Sequence, residues 1–236
     1  MKSLSTLLSL AALCALIVPA FAQDAASLRW TFDGPKAPLT QLSPAWASDL
    51  DQTSTTGRGV LRIRRGLDTP PNAFIALPAE MADRPLWLLV RISEWSLNGK
   101  SNEVIRLGFS SNDDAKSPSV VAQLKLERQE AVFQVSAESF PNTLTGATTT
   151  PQPAGKSIAG GKLAVLLQLD PQTDTYRASI KTVQMKAWQP LGEGKISKTR
   201  VPRFLRLGLS GPFNTNSSEK VDIDEIVVST SDPTSP

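Results

Sequence analysis

The strongest constraint on the fold is an alternation of apolar and polar residues with a period of two, which recurs from Leu28 to the end of the chain. Alternating segments of about five to ten residues are separated by breaks rich in Pro, Gly, Asn and Asp. This pattern is typical of half-buried antiparallel strands. No long window carries apolar residues at helical spacing, and Thr, Gly and Pro over residues 141–161 indicate a long loop. We therefore predict an all-β protein with two antiparallel sheets packed face to face.

The first 22 residues have the layout of a secretory signal peptide. Lys2 precedes an apolar run over residues 4–18, and residues 20–22 place alanine at the two positions that signal peptidase reads. The apolar run is shorter than the ~20 residues of a membrane-spanning helix. We expect cleavage after Ala22 and a secreted or periplasmic bacterial protein.

The mature chain is expected to form one domain over residues 23–230, followed by a short flexible tail over residues 231–236. Its composition excludes several kinds of chemistry. The chain has no His, which excludes Ser-His-Asp triads and His-ligated metals, and its single Cys, Cys14, leaves with the signal peptide. The 25 Lys and Arg nearly balance the 22 Asp and Glu without forming a basic block, so we expect no nucleic-acid partner. No later apolar stretch is long enough to span a membrane.

A short motif occurs twice. Arg106-Leu107-Gly108 and Arg206-Leu207-Gly208 share the same core of three residues. The repeat indicates two strands in equivalent positions of a sheet, where glycine permits a bulge or a close approach of the backbone.

Four stretches together resemble the concanavalin A-like lectin and glucanase jelly roll, including its laminin G-like branch. They are residues 30–34, the hairpin over residues 166–180, the segment around Trp188, and the closing run over residues 221–229. The resemblance implies a single jelly-roll sandwich. It does not select one function, because lectins, hydrolases, lyases and adhesion modules share this fold.

The residues offer little support for catalysis. The glucanase branch carries a Glu-x-Asp-x-Glu run, and the nearest carboxylate cluster here, residues 222–225, has another order and is explained as the edge of the closing strand. A lyase would need a proton-abstracting side chain. The one tyrosine, Tyr176, alternates in phase with Ala178 and Ile180 and is therefore predicted to lie in the core.

The polar faces of the predicted strands supply the candidate ligand-binding residues. If the strands were neighbours, their cationic and polar side chains would form a surface able to hold an acidic glycan; an ordinary solvated sheet face is the alternative. Trp87 and Trp95 lie in phase on one polar face, where they could stack on sugar rings or cover the sandwich edge. The candidates are Trp87, Arg91, Trp95, Arg106, Lys125 and Glu127, accompanied by Gln123 and Arg206.

Calcium is the one metal that the sequence leaves open, because it needs only oxygen ligands. Asp113 and Asp114 form one cluster of carboxylates, and Asp170 and Asp174 form another. Turn formation explains both clusters equally well. No other cofactor is expected.

Three hypotheses for function follow. The preferred one is a non-catalytic module that binds an extracellular or cell-envelope polysaccharide. The second is a divergent polysaccharide lyase or glycoside hydrolase that acts on an acidic glycan through Arg91, Arg106, Lys125 and Glu127. The third is a structural or protein-binding domain of the bacterial envelope.

Overall fold

The structure, a computed structural model, describes residues 26–33, 46–48, 54–55, 59–63, 72–96, 104–114, 119–129, 132–140, 148–150, 162–210 and 220–235. These residues form fifteen β-strands, and a 3-10 turn lies at Ala79–Met81. The strands are β1 Ser27–Trp30, β2 Trp46–Ser48, β3 Ser54–Thr55, β4 Leu61–Ile63, β5 Asn72–Ala76, β6 Leu86–Ser96, β7 Val104–Ser110, β8 Val120–Gln129, β9 Val132–Ser139, β10 Thr148–Thr150, β11 Leu163–Asp170, β12 Thr175–Thr182, β13 Gln189–Lys195, β14 Phe204–Ser210 and β15 Lys220–Ser229.

Some sequence predictions fall outside these ranges. The predicted signal peptide and Cys14 are among the residues that the structure does not describe. The prediction of a continuous loop over residues 141–161 is wrong at Thr148–Thr150, which pair with β9 as strand β10. Within the described ranges, no helix has the length and apolar character needed to cross a bilayer.

The strands form two antiparallel sheets, as the period-two pattern predicted. Sheet I has the order β13-β12-β11-β6-β15-β4-β3, and sheet II has the order β10-β9-β8-β7-β14-β5-β2. The closing strand β15 is central to sheet I. One of its edges pairs with β6, and the other is shared by β4 at Val221–Ile223 and β1 at Ile226–Ser229.

The core lies between the sheets and is filled by every second residue of their strands. Leu88 and Val90 of sheet I and Leu107 and Phe109 of sheet II all belong to it. Tyr176 is also buried there, as predicted, and its hydroxyl donates to the carbonyl oxygen of Ala137 at 3.4 Å. Because the alternate residues point away from this core, each sheet has an outward face whose composition can be read directly from the register.

Candidate functional site on the outward face of sheet II

The two Arg-Leu-Gly motifs lie side by side at the centre of sheet II. Strands β7 and β14 are antiparallel neighbours, and their register places Arg206 opposite Gly108 and Gly208 opposite Arg106. Leu107 and Leu207 pair between them and point into the core. The two arginines therefore extend outward, each beside the glycine of the other motif, in a local two-fold arrangement.

Gly208 lets a polar side chain lie close to the sheet, and Gly108 lets the backbone of the next strand approach. A Cβ atom on Gly208 would be 2.7 Å from Oδ1 of Asn72, which also accepts a hydrogen bond from Nη2 of Arg206 at 3.4 Å. A Cβ atom on Gly108 would be 2.3 Å from the carbonyl oxygen of Ala122. Both separations are far shorter than van der Waals contact, so a larger residue at either position would displace its neighbour.

The register of sheet II extends this arrangement into two rows. One row reads Arg206, Gly108, Gln123, Glu138, and the other reads Asn72, Gly208, Arg106, Lys125. In the first row, Arg206, Gly108 and Gln123 place a guanidinium, a glycine and a carboxamide on successive strands. In the second row the same three groups occur in the reverse order, as Asn72, Gly208 and Arg106. We call this surface the arginine face; its residues are Asn72, Arg106, Gln123, Lys125, Glu127, Glu138 and Arg206.

Hydrogen bonds and ion pairs connect the side chains of the arginine face. Nε2 of Gln123 donates to Oε1 of Glu138. Nζ of Lys125 lies 3.8 Å from a carboxylate oxygen of Glu127 and 3.8 Å from one of Glu138. These contacts therefore connect the neighbouring strands β8 and β9.

Several of these polar groups are buried although they point away from the core. Gln123 is 2% exposed, Glu138 6% and Arg206 7%. The pKa of Arg206 is lowered to about 10, chiefly because burial removes water from the guanidinium; the positive charge of Arg106 acts in the same direction, and the carboxylates of Asp114 and Glu138 oppose both. Burial also lowers the pKa of Arg106. The face therefore holds two partly desolvated cations close together, where hydrogen bonds are stronger than in bulk water.

The structure unites some of the predicted ligand-binding residues and separates others. Arg106, Lys125 and Glu127 share the arginine face. Arg91 and Trp87 do not, because their strand β6 belongs to sheet I. The idea that Arg91 extends one continuous surface with Arg106 is therefore wrong.

Arg91 instead takes part in an ion pair on the outward face of sheet I. Its Nε lies 2.7 Å from Oε2 of Glu225, and Nη2 of Arg29 contacts the other oxygen of the same carboxylate. Glu225 is buried, whereas both arginines are largely exposed. The arrangement links β1, β6 and β15 and explains Arg91 without a ligand.

The outward face of sheet I also contains a small apolar cluster. Leu89, Ala164 and Val227 are buried there, and Leu166 and Trp188 pack against them. Trp87 lies on the same side, half-buried, in register with Gln168 and Ser229. Trp95 lies near the end of β6 opposite Val221, and its side chain is outside the described residues, so its predicted stacking role stays a prediction.

Turn chemistry accounts for Asp170 and Asp174. Oδ1 of Asp170 accepts hydrogen bonds from the backbone N–H groups of Gln172 at 2.9 Å and Thr173 at 3.3 Å. Burial acts to raise the pKa of Asp170, but a hydrogen bond from the Thr173 side chain, the two backbone hydrogen bonds and the charge of Arg177 lower it overall. Asp174 has a left-handed φ of 53° and pairs with Lys198 at 3.2 Å.

The other predicted calcium ligands follow β7. Asp113 is exposed, and Asp114 lies close enough to Arg206 for its charge to act on the guanidinium. In the described part of the chain, no three acidic, His or Cys side chains are grouped closely enough to hold a metal ion. Calcium binding by these four aspartates stays a prediction.

Sequence reasoning missed Asn72 and Glu138, which complete the arginine face. Asn72 begins β5 directly after two prolines, where a turn residue is expected, and Glu138 is one of several polar residues in β9. The useful signal was the repeated motif. A glycine two residues after an arginine in both copies fits reciprocal packing of antiparallel strands.

Comparisons with known proteins bear on the fold alone. No protein-family model matches the sequence, and a sequence search of curated proteins finds no match. Solved structures do match. The seed lectin of Lotus tetragonolobus superposes with a TM-score of 0.54 at 13% identity, over 88% of this chain and 100% of the lectin.

Two further structures are similar to a comparable degree. The CBM2 module of the evolved Dit protein of Lactobacillus casei BL23 phage J-1 has a TM-score of 0.58 at 9% identity, over 87% of this chain and 96% of the module. The exoplasmic/lumenal domain of VIP36, in a form bound to Ca2+ and Man3GlcNAc, has a TM-score of 0.57 at 11% identity, over 89% and 90% of the two chains. The chain therefore has the concanavalin A-like jelly-roll fold, as the sequence resemblance implied.

Proposed function

We propose that this protein is an exported, non-catalytic module that binds a glycan through the arginine face. The observation that carries the proposal is the pair of rows in sheet II, where Arg106 and Arg206 flank two glycines and two carboxamides. Planar guanidinium and carboxamide groups present several fixed hydrogen bonds, which suits the closely spaced hydroxyls of a sugar. Export rests on the predicted signal peptide.

The fold adds support by analogy. The VIP36 domain was solved with a mannose-containing oligosaccharide, and the lectin UEA-II, with a TM-score of 0.54 at 11% identity, was solved with galactose. Because one fold hosts many activities, the arginine face carries the proposal and the similar structures only make it more plausible.

The carboxylates of the face favour binding over catalysis. Glu138 accepts a hydrogen bond from Gln123, and Lys125 lies between Glu138 and Glu127. A glycosidase needs one carboxyl that holds a proton and one that is ionised. Here Glu127 and Glu138 both contact the ammonium of Lys125, so their surroundings do not distinguish an acid from a base.

The test is affinity electrophoresis of the purified protein through gels that contain neutral or acidic polysaccharides, with and without calcium. We expect retardation by at least one polysaccharide, and Arg106→Ala should weaken it by about tenfold or more. Arg91→Ala is the matched control, because it removes an arginine from the outward face of sheet I, and should leave retardation unchanged. Equal losses in both variants, or no retardation by any polysaccharide, would contradict the proposal.

A hydrolase is the second candidate, because β8 and β9 bring two carboxylates, Glu127 and Glu138, onto the same face. The same polysaccharides should be assayed for new reducing ends and for unsaturated uronates. Product release by the wild type that is absent in Glu127→Gln, in a variant that is still retarded in the gel, would favour the enzyme. No product in the wild-type protein would favour the binding module.

A further inference from the structure

The turn that joins β12 to β13 carries an exposed apolar side chain. Val183 is 80% exposed, and among the residues that the structure describes it is the only large apolar side chain left exposed. The turn around it is anchored to the rest of the fold. The backbone N–H of Met185 donates to the carbonyl oxygen of Thr182 at 3.1 Å, and the Met185 side chain packs against the core. Val183 is therefore held in solvent by an anchored turn.

The apolar cluster on the outward face of sheet I reaches the same turn. Trp188 directly precedes β13, where the turn ends, and it is half-buried. It packs, together with the half-buried Leu166, against the buried residues of the cluster. Val183 therefore lies close in the chain to an aromatic side chain that is itself partly open to solvent.

Three lysines lie at this turn. Lys181 pairs with Ala164 of the apolar cluster, so it lies on the outward face of sheet I. Lys162 directly precedes β11 and stands opposite Val183 when the register between β11 and β12 is continued by one residue. Lys186 is in the turn itself, and both it and Lys162 are exposed. We call this surface the lysine turn; its residues are Lys162, Lys181, Val183, Lys186 and Trp188.

The positive charges of the lysine turn are not balanced locally. The sequence has no Asp or Glu over residues 139–169 or 175–192. In the described part of the chain, the ion pairs include none of the three lysines. On the neighbouring strands, Glu225 is already held by two arginines, and Glu94 lies two residues beyond the end of the pairing between β6 and β11. The lysine turn therefore has a positive local potential although the whole chain has a small net charge.

We propose that the lysine turn binds the surface of a bilayer that contains anionic phospholipids. Lysines are attracted to the phosphate headgroups, and their long apolar stems let the ammonium groups stay at the surface while Val183 enters the boundary with the acyl chains. Tryptophan, with an apolar ring and a polar N–H, suits the same boundary. An acidic polysaccharide would attract the lysines but would leave Val183 in water.

This binding goes beyond the proposed function and does not depend on it. The outward faces of sheets I and II lie on opposite sides of the core. A molecule that lies on a membrane through the lysine turn therefore keeps the arginine face open to a glycan.

The experiment is sedimentation of the purified protein with lipid vesicles. Vesicles of phosphatidylcholine alone are compared with vesicles that contain about 30% phosphatidylglycerol, at about 20 mM and about 500 mM salt. Each lysine near an anionic surface contributes about fivefold to binding, so three should make the anionic vesicles preferred by about 100-fold at low salt. We expect most of this preference to disappear at high salt.

Variants then locate the binding surface. Val183→Ser should weaken binding to anionic vesicles by about fivefold, because a hydroxyl replaces the inserted apolar group. The double variant Lys181→Gln and Lys186→Gln should weaken it by about 25-fold. Its matched control is Lys195→Gln with Lys198→Gln, which removes the same charge from two exposed lysines at the other end of β13 and should weaken binding by less than about threefold. Thermal unfolding verifies that each variant folds.

Three results would overturn the proposal. The first is the absence of any preference for anionic vesicles, and the second is an equal loss in the two double variants, which would mean that net charge alone drives binding. The third is unchanged affinity in folded Val183→Ser. Retardation by soluble polygalacturonate that is lost in the variant of Lys181 and Lys186, without vesicle binding, would assign the lysine turn to an acidic glycan instead. Glycan binding by sheet II is measured separately, so its failure leaves this proposal standing.

Discussion

Different kinds of side chain cover the backbone on the outward faces of the two sheets. On sheet I, an apolar cluster under Trp188 and an ion pair centred on Glu225 lie beside one another. On sheet II, polar side chains lie close to the backbone at Gly208, and the backbone of β8 approaches closely at Gly108. An outward arginine therefore has a different structural role on each face. Arg91 holds one carboxylate, whereas Arg206 belongs to a partly desolvated polar surface.

This difference has a physical cause. Arg206 is 7% exposed, and its Nε lies 3.8 Å from the point where Gly208 would carry a Cβ atom. Arg91 lies beside residues that carry side chains and is half-exposed. Gly208 thus lets the side chains of Asn72 and Arg206 lie close to the sheet, and Gly108 lets β7 and β8 approach each other.

The largest effect is expected from Gly108→Ala. The new Cβ would meet the backbone at the Ala122 carbonyl oxygen, which cannot move without separating β7 from β8. We expect a loss of about 3 kcal/mol in the free energy of unfolding, measured by urea denaturation. In Gly208→Ala the new Cβ would meet only the end of the Asn72 side chain. We therefore expect the free energy of unfolding to fall by only about 1 kcal/mol. Equal losses would contradict the proposed difference between backbone and side-chain contact.

Trp188→Ala tests the apolar cover of sheet I. The change uncovers Leu89, Ala164 and Val227, and since Trp188 is only half-buried we expect a loss of about 2 kcal/mol in the free energy of unfolding. Glycan affinity, measured by calorimetry, should stay within twofold of the wild type. A large loss of affinity in a folded variant would place the ligand on sheet I.

Glu225→Gln should have a smaller effect. It removes the charge that Arg29 and Arg91 share, but both arginines are largely exposed, so solvent screens much of the interaction. We expect the free energy of unfolding, measured by urea denaturation, to fall by about 1 kcal/mol, and this loss should be smaller at high salt. A loss as large as that of Gly108→Ala would mean that the ion pair, and not the glycine contact, dominates stability.

The smallest effect is expected from pH. The chain has no His, and Arg206, with a pKa of about 10, stays charged at neutral pH. Glycan affinity should therefore be constant between about pH 6 and pH 8.5. Above pH 10 the folded chain loses the Arg206 proton before the unfolded chain does, so this group makes the free energy of unfolding rise with pH until the unfolded arginine also loses its proton. A steep change in affinity near neutral pH would implicate a carboxyl with a raised pKa.

The sequence predicted the two antiparallel sheets and the inward residues of most strands, because period two follows from strand geometry alone. Leu107, Leu126 and Leu205 all lie in the core as the alternation indicated. The alternation does not show which strands are neighbours, because that depends on contacts between distant parts of the chain. For this reason Arg91 was grouped with Arg106 although their strands lie in different sheets.

The candidate site was predictable only in part. Arg106, Lys125 and Glu127 were identified as outward polar residues, and the repeated motif correctly indicated equivalent strands in one sheet. Asn72 and Glu138 could not be found, because their importance comes from the residues opposite them. The hydrogen bond between Gln123 and Glu138 depends on the register between β8 and β9, which the sequence alone does not reveal.

The most direct test is to map the glycan onto the two faces by NMR. The isotope-labelled protein is titrated with the polysaccharide fragment that binds best, and backbone amide shifts are followed. We predict that the largest changes fall in the central strands of sheet II, at Val104–Ser110, Val120–Gln129 and Phe204–Ser210. Changes confined to the sheet I strands Leu86–Ser96, Leu163–Asp170 and Lys220–Ser229 would contradict binding through the arginine face.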